Sequence, residues 1–263
     1  SRRQQAEASR RVISKVGAPG ETPPATSPTS NGAPARPAAS AGRHEIAYDP
    51  YEGSAQRVIV NVMLNGRVQA RLAVDTGAHQ TIISFPLAER LGLIGKTSAG
   101  LWTLAGGIGG NTPAIRTIID TIRIGDVEQQ FLPATIVADL SSAFEGLIGM
   151  DFLSLFKVNI DPTRRMLVLE DVAPTSVEFG QRNEQWWRSN YKELANLRRG
   201  WRDYPEQLDK EIQDSQLTGG GGMENARLML DFAKSQAREA DRLFEQLNRR
   251  AVLYIVPMHW REF

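Results

Sequence analysis

The chain has 263 residues, 41% of them hydrophobic, and a formal net charge of +1. The apolar content is enough for a folded core, and so small a net charge predicts no general attraction to nucleic acid. The absence of cysteine excludes disulfides, thiol catalysis and zinc–thiolate sites, and the sequence lacks the run of about 20 apolar residues that spans a membrane.

The first part of the chain is an Arg-rich segment followed by a linker rich in Pro, Ala and Ser. Residues 17–42 hold too little apolar surface to fold alone, so we predict that residues 1–45 are disordered. We expect this linker to tether the next domain to an anchor upstream. That arrangement favours an exported, periplasmic bacterial protein, while a cytoplasmic location stays open.

Residues 46–173 show the short alternating runs and turn residues of a β protein. Val58–Leu64 predicts a strand, Asn65-Gly66 a tight turn, and Val68–Val74 the returning strand. The same signals predict a second hairpin and a short helix: Ile115–Ile124 with Phe131–Val137 around Gly125-Asp126, and Pro86–Leu91. So many strand signals with few helices favour an all-β barrel.

The first hairpin ends at Asp75, which opens the turn Asp75-Thr76-Gly77-Ala78. A rigid sheet would present this carboxylate, Gly77 suits a tight turn, and Thr76 can hydrogen-bond across it. Two carboxylates held close together share a proton and act as general acid and base. Because the chain has one such segment, the second Asp75 must then come from another copy. Asp, Thr and Gly also occur in ordinary strand-ending turns.

Three stretches together resemble the retropepsin-like aspartic proteases, in particular the single-domain bacterial members. They are Ala73–Ala78 with Thr81 and Ser84, then Glu145–Leu153, and then Phe156–Asp161 running on to Arg165–Glu170. The resemblance covers roughly residues 46 to 172. It implies a mainly β fold, a closed acid-protease barrel that dimerises.

The resemblance also implies roles for individual residues. Asp75 would be catalytic, Thr76 would lock the two active-site turns of a dimer to each other, and Gly77 would lie against the substrate backbone, with Ala78 completing the turn. The stretch that leads into a helix over Met150–Phe156 would pack beneath the turn. Its support residues are Leu147, Ile148 and Gly149.

A glycine-rich segment, residues 98–110, lies at the right distance to be the flap of this family, a hairpin that folds over bound peptide. Its glycines favour mobility, and such a lid excludes water from the site. A plain flexible hairpin is the alternative, and Trp102 would pack on substrate or only on the barrel. The flap candidates are Gly100, Leu101, Trp102, Thr103, Gly106 and Gly107.

Residues 174–263 are predicted to form a helical extension outside the family's minimal domain. Gln181–Arg199 and Met223–Arg250 carry apolar residues at helical spacing, and Val252–Val256 predicts a final strand. Four of the five tryptophans lie here: Trp186, Trp187, Trp201 and Trp260. They pack the helices onto the barrel in one interpretation. In the other, the extension covers the cleft, blocks dimerisation, or docks a regulatory or substrate protein.

The leading hypothesis is an aspartic endopeptidase, active as a homodimer, that uses one Asp75 from each chain to activate water against a protein or peptide substrate. One alternative is a catalytically silent retropepsin-like module for binding or dimerisation. Another is a protease held inactive by its extension until a partner or processing releases it. We expect no metal or cofactor, because His44, His79 and His259 lack paired ligand spacing.

Overall fold

The computed structural model describes residues 42–50, 57–95, 100–107, 110–138, 140–173, 176–217 and 223–262. Most of the predicted linker, the tip of the predicted flap and glycines 219–222 lie outside these ranges. The strands are β1 (Arg43–Ala47), β2 (Asp49–Pro50), β3 (Val58–Leu64), β4 (Val68–Val74), β5 (Thr81–Ser84), β6 (Leu101–Gly107), β7 (Gly110–Ile124), β8 (Val127–Val137), β9 (Gly146–Ile148), β10 (Phe156–Asp161), β11 (Met166–Asp171), β12 (Glu178–Phe179) and β13 (Arg182–Asn183). The helices are α1 (Phe85–Leu91), α2 (Met150–Leu153), α3 (Glu184–Leu217) and α4 (Met223–Leu253), before a 3-10 helix at Met258–Trp260.

The main sheet closes into a barrel. Its strand order is β2-β3-β4-β9-β5-β8-β7-β6, and β3 also pairs with β7. The strands β3, β4, β9, β5, β8 and β7 therefore form a ring, while β6 stands at the sheet's edge. Aliphatic side chains such as Val60, Leu72, Ile83 and Ile119 fill the interior and are 0% exposed. The predicted mainly β, closed barrel is confirmed.

Both predicted hairpins are present, because their turn residues adopt the left-handed backbone that such turns need. Asn65 and Gly66 have φ angles of 50° and 63°, and Gly125 has a φ angle of 60°. The Asn65 side-chain oxygen also accepts hydrogen bonds from the backbone N–H groups of Asp120 at 2.9 Å and Thr121 at 3.2 Å. This turn therefore ties the first hairpin to β7.

A separate small sheet has the strand order β1-β11-β10. The predicted final strand pair is confirmed, and its turn is closed by Asp161 Oδ1, which accepts the N–H groups of Thr163 at 3.0 Å and Arg164 at 2.9 Å. The predicted disorder of residues 1–45 is wrong for the end of that segment. Residues 43–45 belong to β1, because their backbone pairs with residues 168–170 of β11.

The short helices follow local signals. Helix α1 is confirmed: the Ser84 side chain caps it by accepting the Leu87 N–H at 3.4 Å, and Gly92 ends it with a φ angle of 72°. Helix α2 is shorter than predicted and ends at Leu153, because the chain at Phe156 already pairs in β10.

Helices α3 and α4 form an antiparallel pair against one side of the barrel. The Tyr191 hydroxyl donates to Asn248 Oδ1 at 3.1 Å, and Arg198 pairs with Asp241 at 2.5 Å. Their shared apolar cluster includes Trp187 and Trp201, and also three barrel residues: Leu101, Ile118 and Phe131. The interpretation that the tryptophans pack the helices onto the barrel is supported. No helix within the described ranges has the length and apolarity needed to cross a membrane.

The predicted strand at Val252–Val256 is wrong. Helix α4 runs on to Leu253, because Leu247 and Ala251 on its inner face are completely buried in the cluster. The apolar residues that suggested a strand include Val252 and Leu253, which lie on the outer face and are 60% and 65% exposed. Arg261 then closes the helix end by donating to the carbonyl oxygens of Ala251 and Val256.

Candidate active site

Asp75 lies at the end of a parallel strand pair. Strand β4 pairs with β9 up to Val74 and Ile148, and the Asp75 N–H continues this ladder by donating to the Ile148 carbonyl oxygen at 3.0 Å. The barrel therefore holds the backbone of Asp75 before the chain turns. The side chain is partly exposed, and Thr76 and Gly77 beside it are exposed.

The turn after Asp75 is built around its carboxylate. The Gly77 N–H donates to Asp75 Oδ1 at 2.9 Å, and the Ala78 N–H donates to the Asp75 carbonyl oxygen at 3.2 Å. A Cβ atom at Gly77 would lie 3.2 Å from Asp75 Oδ1, which is closer than ordinary contact. The carboxylate therefore has a fixed orientation at the surface, the arrangement that a general acid or base needs.

Of the predicted support residues, Ile148 and Gly149 lie against the turn, while Leu147 pairs with Ala73 of β4. The Met150 N–H donates to the Ala78 carbonyl oxygen at 2.8 Å, and Leu147 and Ile148 are buried. A Cβ atom at Gly149 would lie 2.5 Å from the Gln80 carbonyl oxygen, so the backbones approach too closely for any side chain. Glycine at this position therefore permits β9 to pack beneath the turn.

Asp151 anchors the strand that leaves the turn. Its carboxylate accepts the Thr81 N–H at 2.9 Å and the Thr81 hydroxyl at 2.8 Å. Burial raises the pKa of the Asp151 carboxyl, while the Thr81 hydrogen bonds and the charges of Arg182 and Arg116 oppose this rise. Asp151 lies in the first turn of α2, whose cap position is Gly149, and its carboxylate also accepts the Phe152 N–H at 2.9 Å.

Two buried arginines, which sequence reasoning missed, surround this strand. Arg116 on β7 is 2% exposed and donates to Gln80 Oε1 at 2.6 Å and to Glu193 Oε2 at 2.9 Å. Arg182 on β13 is 4% exposed and donates to the Asp151 carbonyl oxygen at 2.6 Å. Both connect residues near the turn to the helical extension. Their partners are far away in sequence, so no local pattern indicates them.

The predicted flap is a hairpin of β6 and β7, paired from Leu101–Arg116 to Gly107–Gly110. Its tip, residues 108–109, lies outside the described ranges, so its mobility and its role stay predictions. Leu101 and Thr103 are buried, and Trp102 packs against both the barrel core and the helical cluster. Gly106 and Gly107 lie at the far end.

The base of this hairpin is bound by the helical extension. Gln236 on α4 is 0% exposed, and its side-chain amide accepts the Trp102 N–H at 2.7 Å and donates to the Gly100 carbonyl oxygen at 3.1 Å. The Trp201 indole N–H donates to the Trp102 carbonyl oxygen at 3.2 Å. Gly100 has a φ angle of 65°, and a Cβ atom there would lie 2.2 Å from Ile115.

His79, the residue after the active-site turn, is exposed. Within the described ranges, no group of three or more His, Cys, Asp or Glu side chains converges in a way that could hold a metal ion.

Comparison with known proteins relates this site to a protease family. Residues 60–155 match the family described as "gag-polyprotein putative aspartyl protease". Two curated relatives, both named "DNA damage-inducible protein 1", come from Kluyveromyces lactis and Yarrowia lipolytica. The first is 31% identical over 131 residues, or 49% of this chain and 30% of the relative. The second is 26% identical over 133 residues, or 48% of this chain and 32% of the relative.

Among solved structures, the chain is similar to a retropepsin-like aspartic protease from Rickettsia conorii, at 24% identity and a TM-score of 0.39, over 50% of this chain and 92% of that one. The aligned segment spans less than a third of either curated relative. The family match confirms the resemblance to retropepsin-like aspartic proteases for the segment that contains the turn and the strands around it.

Proposed function

We propose that the chain is an aspartic endopeptidase that works as a homodimer, with Asp75 of each copy forming the catalytic pair. The observation that carries the proposal is the Asp75 carboxylate, oriented by the Gly77 N–H at 2.9 Å in a segment that matches an aspartyl protease family. The chain holds a single Asp-Thr-Gly sequence, so two copies are needed to bring two such carboxylates together.

In the proposed reaction the two Asp75 carboxyl groups share one proton. The ionised carboxylate takes a proton from water as the water oxygen attacks the peptide carbonyl carbon, and the protonated carboxyl gives its proton to the carbonyl oxygen. The resulting gem-diol intermediate collapses when the C–N bond breaks: the leaving nitrogen takes the proton that the first Asp75 removed from water, and a hydroxyl of the intermediate returns a proton to the second Asp75. One water is consumed, and no covalent enzyme intermediate forms.

The edge strand β6 supports an extended peptide as the substrate. Gln236 binds the backbone at residues 100 and 102, on the edge of β6 that faces away from β7. Because strand backbone groups alternate, those of Leu104 and Gly106 point to the same edge. A substrate strand would pair there by β-augmentation, while the glycine-rich end of the hairpin folds over it.

The test is cleavage of a peptide library by the purified chain and its Asp75→Asn variant, at mildly acid to neutral pH. We expect cleavage that disappears in Asp75→Asn and persists in the matched control Asp203→Asn, which changes an exposed carboxylate on α3. Equal cleavage by the chain and Asp75→Asn would contradict the proposal. No cleavage by any of them would favour a silent binding module or a protease held inactive by its extension.

A further inference from the structure

Two buried guanidinium groups lie between the barrel and the helical extension, one contributed by each part. Arg116 comes from the barrel strand β7, and its charge is paired with Glu193 of helix α3 at 2.9 Å. Arg182 comes from β13, at the start of the extension, and donates to the Asp151 carbonyl oxygen of the barrel at 2.6 Å. A buried charge is costly unless it is paired. The extension therefore supplies a partner for the buried charge of Arg116, and the barrel supplies a hydrogen-bond acceptor for Arg182.

Among the described residues, neither guanidinium group has a hydrogen-bond partner for every nitrogen atom. Within the described part of the chain, Arg116 Nε and Arg182 Nη2 are buried without a hydrogen-bond partner. Arg182 also lies over the Trp186 ring, 5.1 Å from its centroid, and burial lowers the pKa of its guanidinium against the opposing charge of Asp151. Loss of one remaining partner would therefore release the group from its position.

These arginines contact the residues that follow the active-site turn, Arg116 directly and Arg182 through Asp151. Gln80 accepts from Arg116 at 2.6 Å and donates to Glu193 at 3.5 Å. The Asp151 carboxylate holds both the N–H and the hydroxyl of Thr81. Residues 80 and 81 follow Ala78, whose carbonyl oxygen is bound by the N–H of Met150, the neighbour of Asp151. The extension thus contacts the turn's exit through two separate routes.

We propose that Arg182 and Glu193 of the helical extension are positioning residues for the active-site turn. The inference rests on the proposed function of Asp75. The extension then contributes to catalysis by the protease. Arg182 acts through Asp151 and Glu193 acts through Gln80, and neither side chain touches substrate. Both residues lie outside the segment 60–155 that matches the protease family.

The test compares Arg182→Met and Glu193→Gln with the matched control Arg188→Met, which removes a surface arginine paired with Glu184 on the outside of α3. Two measurements are made below the unfolding temperature of each variant: the steady-state kinetics on a peptide substrate, which give kcat and KM, and the amide hydrogen exchange of residues 72–84. We expect kcat to fall about tenfold to a hundredfold with little change in KM, because a displaced turn misorients the carboxylate. Exchange at residues 76–81 rises in parallel.

The control keeps the kcat and exchange of the unaltered chain. Glu193→Gln preserves the side-chain shape, so it supplies a folded variant even where Arg182→Met does not fold. Folded variants with unchanged kcat and unchanged exchange at residues 76–81 would overturn the inference. If the unaltered chain cleaves nothing, the proposed function fails, while the exchange measurement still decides whether Arg182 and Glu193 position the turn.

Discussion

Single residues around Asp75 show how tightly the site is assembled. Gly77 leaves room for the carboxylate. Gly149 lets β9 lie close to the Gln80 carbonyl, because a Cβ atom at this position would be only 2.5 Å from that oxygen. Asp151 then holds Thr81 through two hydrogen bonds. The orientation of Asp75 therefore depends on close backbone approaches and on charges beneath the turn, as well as on its own hydrogen bond from Gly77.

His44 is predicted to make stability depend on pH. Its ring nitrogens face Asp126 at 2.9 Å and Asp171 at 3.4 Å, and the hydrogen bond to Asp126, with the charges of both carboxylates, raises the pKa of His44 against a smaller effect of burial. A raised folded-state pKa contributes stability that is complete below the unfolded pKa of about 6.5 and is lost as pH rises through the folded value. The pKa of Asp126 is lowered by the same bond, so its contribution fades only in acid.

We therefore expect the free energy of unfolding, measured in urea, to fall as pH rises above the unfolded pKa of about 6.5, and this slope to weaken in His44→Gln. Equal slopes in the two proteins would show that His44 does not contribute. His259, which is exposed, provides the matched control in His259→Gln.

At the scale of elements, strand β6 gains a partner that is not a strand. The Gln236 amide binds the backbone of residues 100 and 102 as a neighbouring strand would. This contact covers the base of the hairpin and leaves its glycine-rich end beyond it. The hairpin therefore has an anchored base, and movement of its glycine-rich end over substrate stays a prediction.

Gln236→Leu is predicted to loosen that base. The change keeps the side chain's size but leaves the Trp102 N–H and the Gly100 carbonyl oxygen without this buried partner, at a cost of about 2 kcal/mol or more. The expected result is a lower urea midpoint and faster amide exchange at residues 100–104. Gln207→Leu, at an exposed position of α3, is the control. Unchanged exchange at residues 100–104 would mean that the hairpin base is held by other contacts.

The strands and turns could be predicted because their causes are local. Asn65-Gly66 and Gly125-Asp126 adopt turns that few residue pairs allow, and the flanking apolar runs define the hairpins. The turn at residues 75–78 was predictable for the same reason. The final strand was wrong because Val252 and Leu253 favour strands locally, while burial of Leu247 and Ala251 keeps this segment helical.

The charged network beneath the turn could not be predicted. Arg116 and Glu193 are 77 positions apart, and in the sequence both resemble ordinary surface residues. Only the packing of α3 against the barrel brings them together and removes them from water. Long-range pairs of this kind carry no spacing pattern, in contrast to the i, i+4 pair of Glu184 and Arg188 on the same helix.

On the scale of the whole molecule, the barrel and the extension share one apolar cluster. Leu101, Ile118 and Phe131 of the barrel are 0–5% exposed because α3 and α4 cover them. Full burial of each side chain contributes about 1.5–3 kcal/mol, and the whole free energy of unfolding of a typical protein is about 5–15 kcal/mol. The barrel therefore depends on the extension for a large share of its stability.

Deleting residues 174–263 is predicted to unfold the barrel. The deletion exposes the shared cluster and leaves Arg116 buried without Glu193. We expect aggregation in size-exclusion chromatography and loss of the cooperative transition in circular dichroism. A soluble, cooperatively folded fragment with raised peptidase activity would instead identify the extension as an inhibitor.

The most direct measurement mixes the unaltered chain with Asp75→Asn at a concentration where dimers dominate. If each dimer needs one Asp75 from each copy, heterodimers are inactive. With random pairing, an equimolar mixture then retains about half of the peptidase activity of the same amount of unaltered chain alone, and excess Asp75→Asn lowers it further. Activity that stays constant as Asp75→Asn is added would show that one copy suffices, and it would contradict the shared catalytic pair.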